Sequence, residues 1–125
     1  MTDTASTPKA DHLPSGFSLA GVHCGVKKNP AKEDLTLVLS DRPATAAGMY
    51  TKNKFAAAPV LLDRNRTPSA GIRAVVINSG NANACTGQRG IKDAHAMCSD
   101  VAATCGVEPE SVLVLSTGVI GSFLP

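Results

Sequence analysis

Two short stretches of this sequence combine small polar side chains with glycine, which are residue types suited to hydrogen-bonding sites. Residues 78–87 contain three asparagines, a serine, a threonine and two glycines, and residues 116–118 read Ser-Thr-Gly. Asparagine and glycine tolerate left-handed and tight-turn conformations that leave backbone N–H groups unpaired. Each stretch follows an apolar run that is typical of a buried strand. We therefore expect two polar turns at strand ends, a common location for ligand sites.

Thr117 and Gly118 are the candidate catalytic residues of the second stretch. A threonine hydroxyl and a neighbouring backbone N–H can both donate to a developing oxyanion. The alternative is an ST-turn that only closes the strand. For residues 78–87 the corresponding alternative is a turn whose asparagines cap their own backbone. That stretch has no Gly-x-Gly-x-x-Gly and no Lys-Ser/Thr pair after Gly87, so it is not one of the nucleotide-binding motifs.

Cysteine and histidine side chains offer weaker candidates for chemistry. His95 and Cys98 are three residues apart on a predicted helix, from which they could share a metal ion, but the spacings to Cys85 and Cys105 match no usual zinc pattern. The alternative places Cys98 and Cys105 in the apolar stripe of that helix as small core residues. We predict no metal site.

A Cys-His nucleophile pair is the other reading of these residue types. Cys24 follows His23 directly, and adjacent residues on a strand point to opposite faces, so His23 is badly placed to activate Cys24. Cys85 with His95 is the second combination, and the sequence offers it no orienting carboxylate. Both pairs remain weak candidates.

Composition excludes several classes of function. The 125 residues fit one domain, and with three Phe, one Tyr and no Trp the core must be built from Ala, Val and Leu. The net charge of +2 comes without a basic cluster, which argues against nucleic acid as a partner. The N-terminus lacks the apolar segment of a secretory signal, and no apolar run reaches membrane-spanning length. We expect a cytoplasmic protein with reduced cysteines.

The periodicity of apolar residues predicts strands in the first half of the chain and one strand–turn–helix–strand unit after it. The helix is predicted at residues 91–105, where apolar residues recur at three- and four-residue steps, with Gly106 as its stop. Strands are predicted at residues 16–27, 34–40, 46–51, 58–63, 73–77 and 110–116. Residues 1–15 are predicted to be a disordered tail, and residues 16–125 a mixed α/β domain.

Taken together, the two polar stretches closely resemble a known family. The blocks that match are residues 78–84 (NSGNANA), 86–87 (TG) and 116–121 (STGVIG), with further matches at residues 25–27, 50–53 and 57–60. They resemble the ornithine acetyltransferase family, the bifunctional glutamate N-acetyltransferases of arginine biosynthesis. The resemblance runs in register from about Gly16 to Pro125, and NSGNANA is its specific block.

The resemblance implies a fold, an activity and partners. The implied fold is α/β, a layered α-β-β-α sandwich of the self-processing DmpA/ArgJ-like type, here only its N-terminal portion. The implied enzyme moves acetyl from N-acetylornithine to glutamate, and some members also accept acetyl-CoA. One precursor cleaves itself ahead of a threonine, which becomes the N-terminal nucleophile of a β subunit with its own α-amino group as base. The complete protein is expected to be an α2β2 heterotetramer without a cofactor.

The resemblance also assigns residues. The family's oxyanion hole falls on Thr117 and Gly118, and no other catalytic residue is carried over. Because the sequence ends at Pro125, before the family's processing site, we expect an incomplete domain that lacks the nucleophile and is inactive alone. Two alternatives remain: a self-processing aminopeptidase of the same fold, against which NSGNANA argues, and a non-catalytic binding or assembly module that keeps the turns.

Overall fold

The computed structural model describes residues 13–125, which form one four-stranded sheet with two helices. In chain order the elements are β1 (Phe17–Val22), β2 (Leu35–Ala46), α1 (Ala58–Arg66), β3 (Ser69–Asn81), α2 (Gly87–Cys105), a short 3₁₀ helix (Pro109–Ser111) and β4 (Val112–Val119). The strands lie side by side in the order β1-β2-β3-β4. The first three are antiparallel, and β4 runs parallel to β3. A parallel pair needs a long crossover, which α2 provides.

The hydrophobic core lies between one face of the sheet and the two helices. Val112 and Val114 of β4 are fully buried beside Ala74 and Val76 of β3, with which they are paired. The helices cover them with mostly small side chains: Ala58 and Leu62 from α1, and Ala94, Cys98 and Ala102 from α2. The apolar stripe predicted for the helix is therefore confirmed, including Cys98 as a core residue.

The opposite face of the sheet is also apolar. The strand register aligns Leu19, Val38, Val75 and Leu113 in one row across all four strands. Leu19 is 43% exposed, and Leu115, two residues beyond Leu113, is 45% exposed. Single exposed apolar residues are common, but a continuous apolar row across a sheet indicates a surface that packs against another layer.

One predicted strand is wrong, because residues 58–63 form the first turns of helix α1. The run Val-Leu-Leu is too short for periodicity to separate a strand from a buried helix. The buried residues of α1 are Ala58, Pro59, Leu62 and Asp63, which is helical spacing. Pro59 is tolerated because it lies in the first turn, where an N–H has no intrahelical partner.

The strands predicted at residues 34–40 and 46–51 are also revised. β2 continues past Ser40 to Ala46, and residues 47–53 have no regular structure. The register of β2 against β3 shifts between Leu39 and Ala44, which places Pro43 in an irregular stretch where its missing N–H breaks no ladder.

The remaining elements agree with expectation apart from their ends. Helix α2 begins four residues earlier than predicted, at Gly87, and ends at Gly106 in the left-handed conformation, as predicted. Residues 1–12 of the predicted tail lie outside the described residues. Over residues 13–125, no helix is both long enough and apolar enough to cross a membrane.

Candidate functional site

Two glycines on neighbouring strands bring the two polar stretches together. Gly80 of β3 is paired with Gly118 of β4, and their φ angles are 118° and 134°. A Cβ on Gly118 would overlap the backbone of Gly80 and Asn81. Both the backbone conformation and the close approach therefore require glycine at position 118.

Thr117 and Gly118 lie within β4, not in a turn after it as predicted. The N–H of Val114 points away from β3, because it donates to a side chain of α1, whereas the carbonyl of Val119 accepts the N–H of Ala82 on the β3 side. In the regular part of β4 the backbone groups of even-numbered residues therefore point to the open edge of the sheet, but the register shift between Gly80 and Asn81 and the positive φ of Gly118 end this alternation at Gly118. The exposed Thr117 side chain stands next to it. Thr117 and Gly118 are thus neighbours in the last part of β4, and their role as oxyanion donors stays a prediction.

The first polar stretch is divided between a strand and a loop, which corrects the prediction of a single turn. Residues 78–81 belong to β3, residues 82–86 form the loop, and α2 follows. Pairing with residues 116–118 of β4 overrides the turn preference of Asn78 and Gly80. Within the loop Asn83 has the expected left-handed conformation, with φ of 46°, and Cys85 has a φ of 57°, which is uncommon for this residue type.

Asparagine side chains hold this loop in place. Asn81 donates through Nδ2 to the carbonyls of Ser122 at 2.9 Å and Phe123 at 3.1 Å, while its Oδ1 accepts the N–H of Asn83 at 2.7 Å. Asn83, which is fully buried, donates to the carbonyl of Gly90 at 2.8 Å. The end of β3, the first turn of α2 and the segment after β4 are therefore connected through two amide groups.

A buried carboxylate fixes the loop between β1 and β2 at the same end of the sheet. Asp34 accepts the N–H groups of Cys24 at 2.7 Å and Lys27 at 2.8 Å, and its main-chain carbonyl accepts the N–H of Ser79 at 2.9 Å. Burial acts to raise the pKa of Asp34, but these two N–H groups outweigh it and hold the pKa well below its usual value. The loop consequently packs on Gly80, where a Cβ would be 3.1 Å from Cγ of Lys27.

Helix α1 places two charged side chains along the outer edge of β4. Asp63, only 6% exposed, accepts the N–H of Val114 at 3.0 Å, and the guanidinium of Arg66 donates to the carbonyl of Val112. Desolvation raises the pKa of Asp63 to about 6, although the N–H of Val114 and the charge of Arg66 act to lower it. Cys98 of α2 is a third titratable group near this contact, because, besides desolvation, Arg66 and Asp63 both influence the pKa of its thiol.

A cavity of about 380 Å³ adjoins this contact. It lies between residues 47–50, the first half of α1 and β4. Its walls are mainly apolar, and Asp63, Ser116 and Tyr50 are the residues that bring polar atoms to it. Ser116 immediately precedes the candidate oxyanion donors, so the cavity and the candidate donors share one edge of the sheet.

The surroundings of Cys24 do not favour a nucleophile pair with His23. Desolvation, followed by the neighbouring Asp34 carboxylate, raises the pKa of Cys24, which makes it a poorer nucleophile. His23 places Nδ1 3.0 Å from the carbonyl of Lys32 and 3.2 Å from Asp34. Cys85 is exposed. Among residues 13–125, no three His, Cys, Asp or Glu side chains are grouped closely enough to hold a metal ion.

Asp34 and Asp63 are the two site residues that sequence reasoning missed. Each directly adjoins an apolar run, and the sequence pattern places each at the end of a predicted strand. A buried carboxylate can be predicted next to an apolar run only when the backbone groups that it binds are known. Those of Asp63 lie about fifty residues further along the chain.

Comparison with known proteins gives consistent matches. A sequence model of the ArgJ family matches residues 18–125. The chain is 56% identical over 110 residues to the arginine biosynthesis bifunctional protein ArgJ of Geobacter sulfurreducens, a match that covers 88% of this chain. It is 48% identical over 128 residues to the protein of the same name from Rhodopirellula baltica, covering 100% of this chain. The matches cover only 28% and 31% of these relatives, so the chain spans less than a third of their length.

Two solved structures have the same fold. One is the ornithine acetyltransferase of Mycobacterium tuberculosis complexed with ornithine, with a TM-score of 0.84 and 43% identity over 90% of this chain and 61% of that chain. The other is the arginine biosynthesis bifunctional protein ArgJ from Bacillus halodurans, with a TM-score of 0.82 and 43% identity over 89% of this chain and 58% of that chain. The predicted α/β fold of the ArgJ-like type is confirmed by these matches.

Proposed function

This chain belongs to the ArgJ family, and we propose that it is the N-terminal part of the α subunit of a bifunctional glutamate N-acetyltransferase and ornithine acetyltransferase. In this proposal the whole protein transfers acetyl from N-acetylornithine to a threonine of the β subunit and then to glutamate. Acetyl-CoA is the alternative donor that some family members accept. The ornithine bound to the related structure supports an ornithine-type substrate.

The observation that carries this proposal is the pairing of Gly80 with Gly118 at the edge of β4. In this proposal the pairing holds the Gly118 N–H and the neighbouring Thr117 side chain in a fixed arrangement before any substrate binds. Preorganised donors of this kind stabilise the negative charge that develops on a carbonyl oxygen during acyl transfer. We assign the oxyanion hole to Thr117 and Gly118.

The proposed chemistry consists of two acyl transfers. The threonine hydroxyl attacks the acetyl carbonyl, its proton passes to the α-amino group, and the carbonyl electron pair moves to the oxygen held by Thr117 and Gly118. Collapse of this intermediate releases ornithine, which takes up the proton, and leaves acetyl-threonine. The amine of glutamate then attacks the acetyl-threonine ester and gives a proton to the α-amino group, and the same two donors stabilise the second intermediate. Its collapse breaks the ester bond, releases N-acetylglutamate and returns the proton from the α-amino group to the threonine oxygen.

The rest of the protein is proposed to cover the exposed apolar face. The row through Val38 and Val75 then packs against a second sheet, which gives the layered α-β-β-α sandwich. We propose that residues 16–125 form an incomplete domain, that the β subunit from the same precursor supplies the nucleophile, and that an α2β2 assembly forms in the cytoplasm.

Substitution of Thr117 in the full-length protein tests the proposed function. We expect Thr117→Ala to lower kcat for transfer from N-acetylornithine to glutamate by about 10²-fold with little change in KM, because the lost donor acts in the transition state. Thr117→Ser keeps the hydroxyl and should retain most of the activity. Thr104→Ala, on the exposed side of α2, is the matched control. Equal kcat for wild type and Thr117→Ala would remove Thr117 from the oxyanion hole.

A further inference from the structure

On the outer side of β4, within residues 13–125, side chains of helix α1 bind the backbone groups of the strand. Among the described residues β4 pairs only with β3. Its outward groups at Val112 and Val114 instead bind Arg66 and Asp63. An open strand edge normally pairs with another strand or is covered. Here two side chains from one helix replace that strand over the first half of β4.

The use of a buried aspartate for this contact lowers the stability of the folded protein. An asparagine oxygen could accept the same N–H of Val114 without the cost of burying a charge. The carboxylate instead sits almost fully buried, at 6% exposure, and its desolvation disfavours the ionised form. A buried charge that lowers stability, when a neutral isostere would serve, is expected where function requires it. An ionised oxygen also binds an N–H more strongly than an amide oxygen does.

Helix α1 is itself anchored, so it can transmit a fixed position to the strand. The main-chain carbonyl of Asp63 accepts both the N–H of Thr67 at 3.0 Å and its hydroxyl at 2.9 Å. The hydroxyl of Tyr50 lies 2.6 Å from the same threonine oxygen. The helix end and the preceding loop are thereby tied together next to the outer edge of β4.

We propose that Asp63 is a positioning residue for acetyl transfer. Together with Arg66 it fixes the edge of β4 at Val112 and Val114, and so sets where Thr117 and Gly118 present their donors. The second half of the edge stays open for the reacting groups. This inference rests on the proposed function, because it requires Thr117 and Gly118 to be the oxyanion donors.

The test compares rate and stability in the full-length protein. We expect Asp63→Ala to lower kcat about tenfold, with KM for N-acetylornithine and glutamate within about twofold, because a strand displaced by a fraction of an ångström weakens only transition-state contacts. Asp63→Asn keeps an acceptor for Val114 and should lower kcat less, about threefold. At neutral pH it should also raise the urea midpoint. Asp100→Asn, an exposed site on α2, is the matched control, and kcat is taken per active site from the acetyl-enzyme burst.

Opposite changes in the rate and stability of Asp63→Asn are the decisive result. A purely structural residue would lower or raise both quantities together, and an unchanged kcat in Asp63→Asn and Asp63→Ala would overturn the proposal. If Asp63→Ala does not fold, Asp63→Asn alone decides. A loss of activity in Thr117→Ala with none in the Asp63 variants refutes the positioning role only. Full activity in Thr117→Ala removes Thr117 from the oxyanion hole, and the absence of acetyl transfer in the wild-type protein refutes the proposed function.

Discussion

Replacing Asp63 with asparagine should stabilise the protein at neutral pH, by an amount that follows from the burial of the carboxylate. Desolvation raises the pKa of Asp63 from 3.8 to about 6. Each pKa unit corresponds to 1.36 kcal/mol, so keeping the charge in the folded protein costs roughly 3 kcal/mol. Asparagine has nearly the same shape and carries no charge. The full difference should therefore be present once the wild-type carboxylate is ionised.

The pH dependence of this effect has a definite sign. The unfolded chain releases the proton of Asp63 near pH 3.8 and the folded chain near pH 6, so between these values the folded state binds more protons. The free energy of unfolding of the wild type accordingly falls as pH rises through this window. It is not lowered further above pH 6. Asparagine does not titrate, so the advantage of the variant should grow across the same window and then stay constant.

Urea unfolding of the full-length protein from about pH 4 to about pH 7.5 measures this difference, because that range covers most of the window and the constant region above it. Asp100→Asn provides the control, since that side chain is exposed on α2 and is not one of those that bind the backbone of β4. A difference between Asp63→Asn and wild type that does not change with pH would refute the reasoning. It would mean that desolvation of the Asp63 carboxylate does not lower the free energy of unfolding.

Two further substitutions test the loop that holds the site. Gly90→Ala should destabilise the protein by roughly 1–3 kcal/mol in urea unfolding, because its Cβ would overlap two side-chain oxygens of the preceding loop. Gly71→Ala is the control and should change the free energy of unfolding little, because no atom lies nearer than 3.8 Å to its Cβ. Asn81→Ala removes three hydrogen bonds and should cost roughly 2 kcal/mol and slow both acetyl transfer and self-cleavage. Exposed Asn65→Ala is its control, and unchanged kinetics in the Asn81 variant would show that this amide does not shape the site.

The parts of the fold that the sequence predicts well are those with local causes. Helix α2 has a full apolar stripe and a terminating Gly106, so its type and its end could both be read. The strand leading to Asn78 was found for a similar reason, as a continuous β-branched run. The sequence does not predict the extension of that strand to Asn81, because the extension depends on pairing with β4, which is remote in sequence.

Helix α1 and the role of Asp63 show where local reasoning ends. A short apolar run beside Pro59 fits a strand or a helix equally well, and contacts with β4 and α2 decide in favour of the helix. The carboxylate of Asp63 reaches the N–H of Val114 because residues 58–63 are helical and pack beside β4. The residues Thr117 and Gly118 could be named in advance because a motif marks them. The side chains that position them carry no motif.

Formation of the acetyl-enzyme is the most direct test of the account. The full-length protein is incubated with N-acetylornithine in the absence of glutamate, and intact masses are followed over time. We expect two polypeptides, of which the second begins with threonine and gains one acetyl group, about 10²-fold more slowly in Thr117→Ala. A single uncleaved polypeptide that gains no acetyl group would contradict it and favour a non-catalytic module. Acetylation of Thr117→Ala at the wild-type rate would contradict the oxyanion role of the β4 edge.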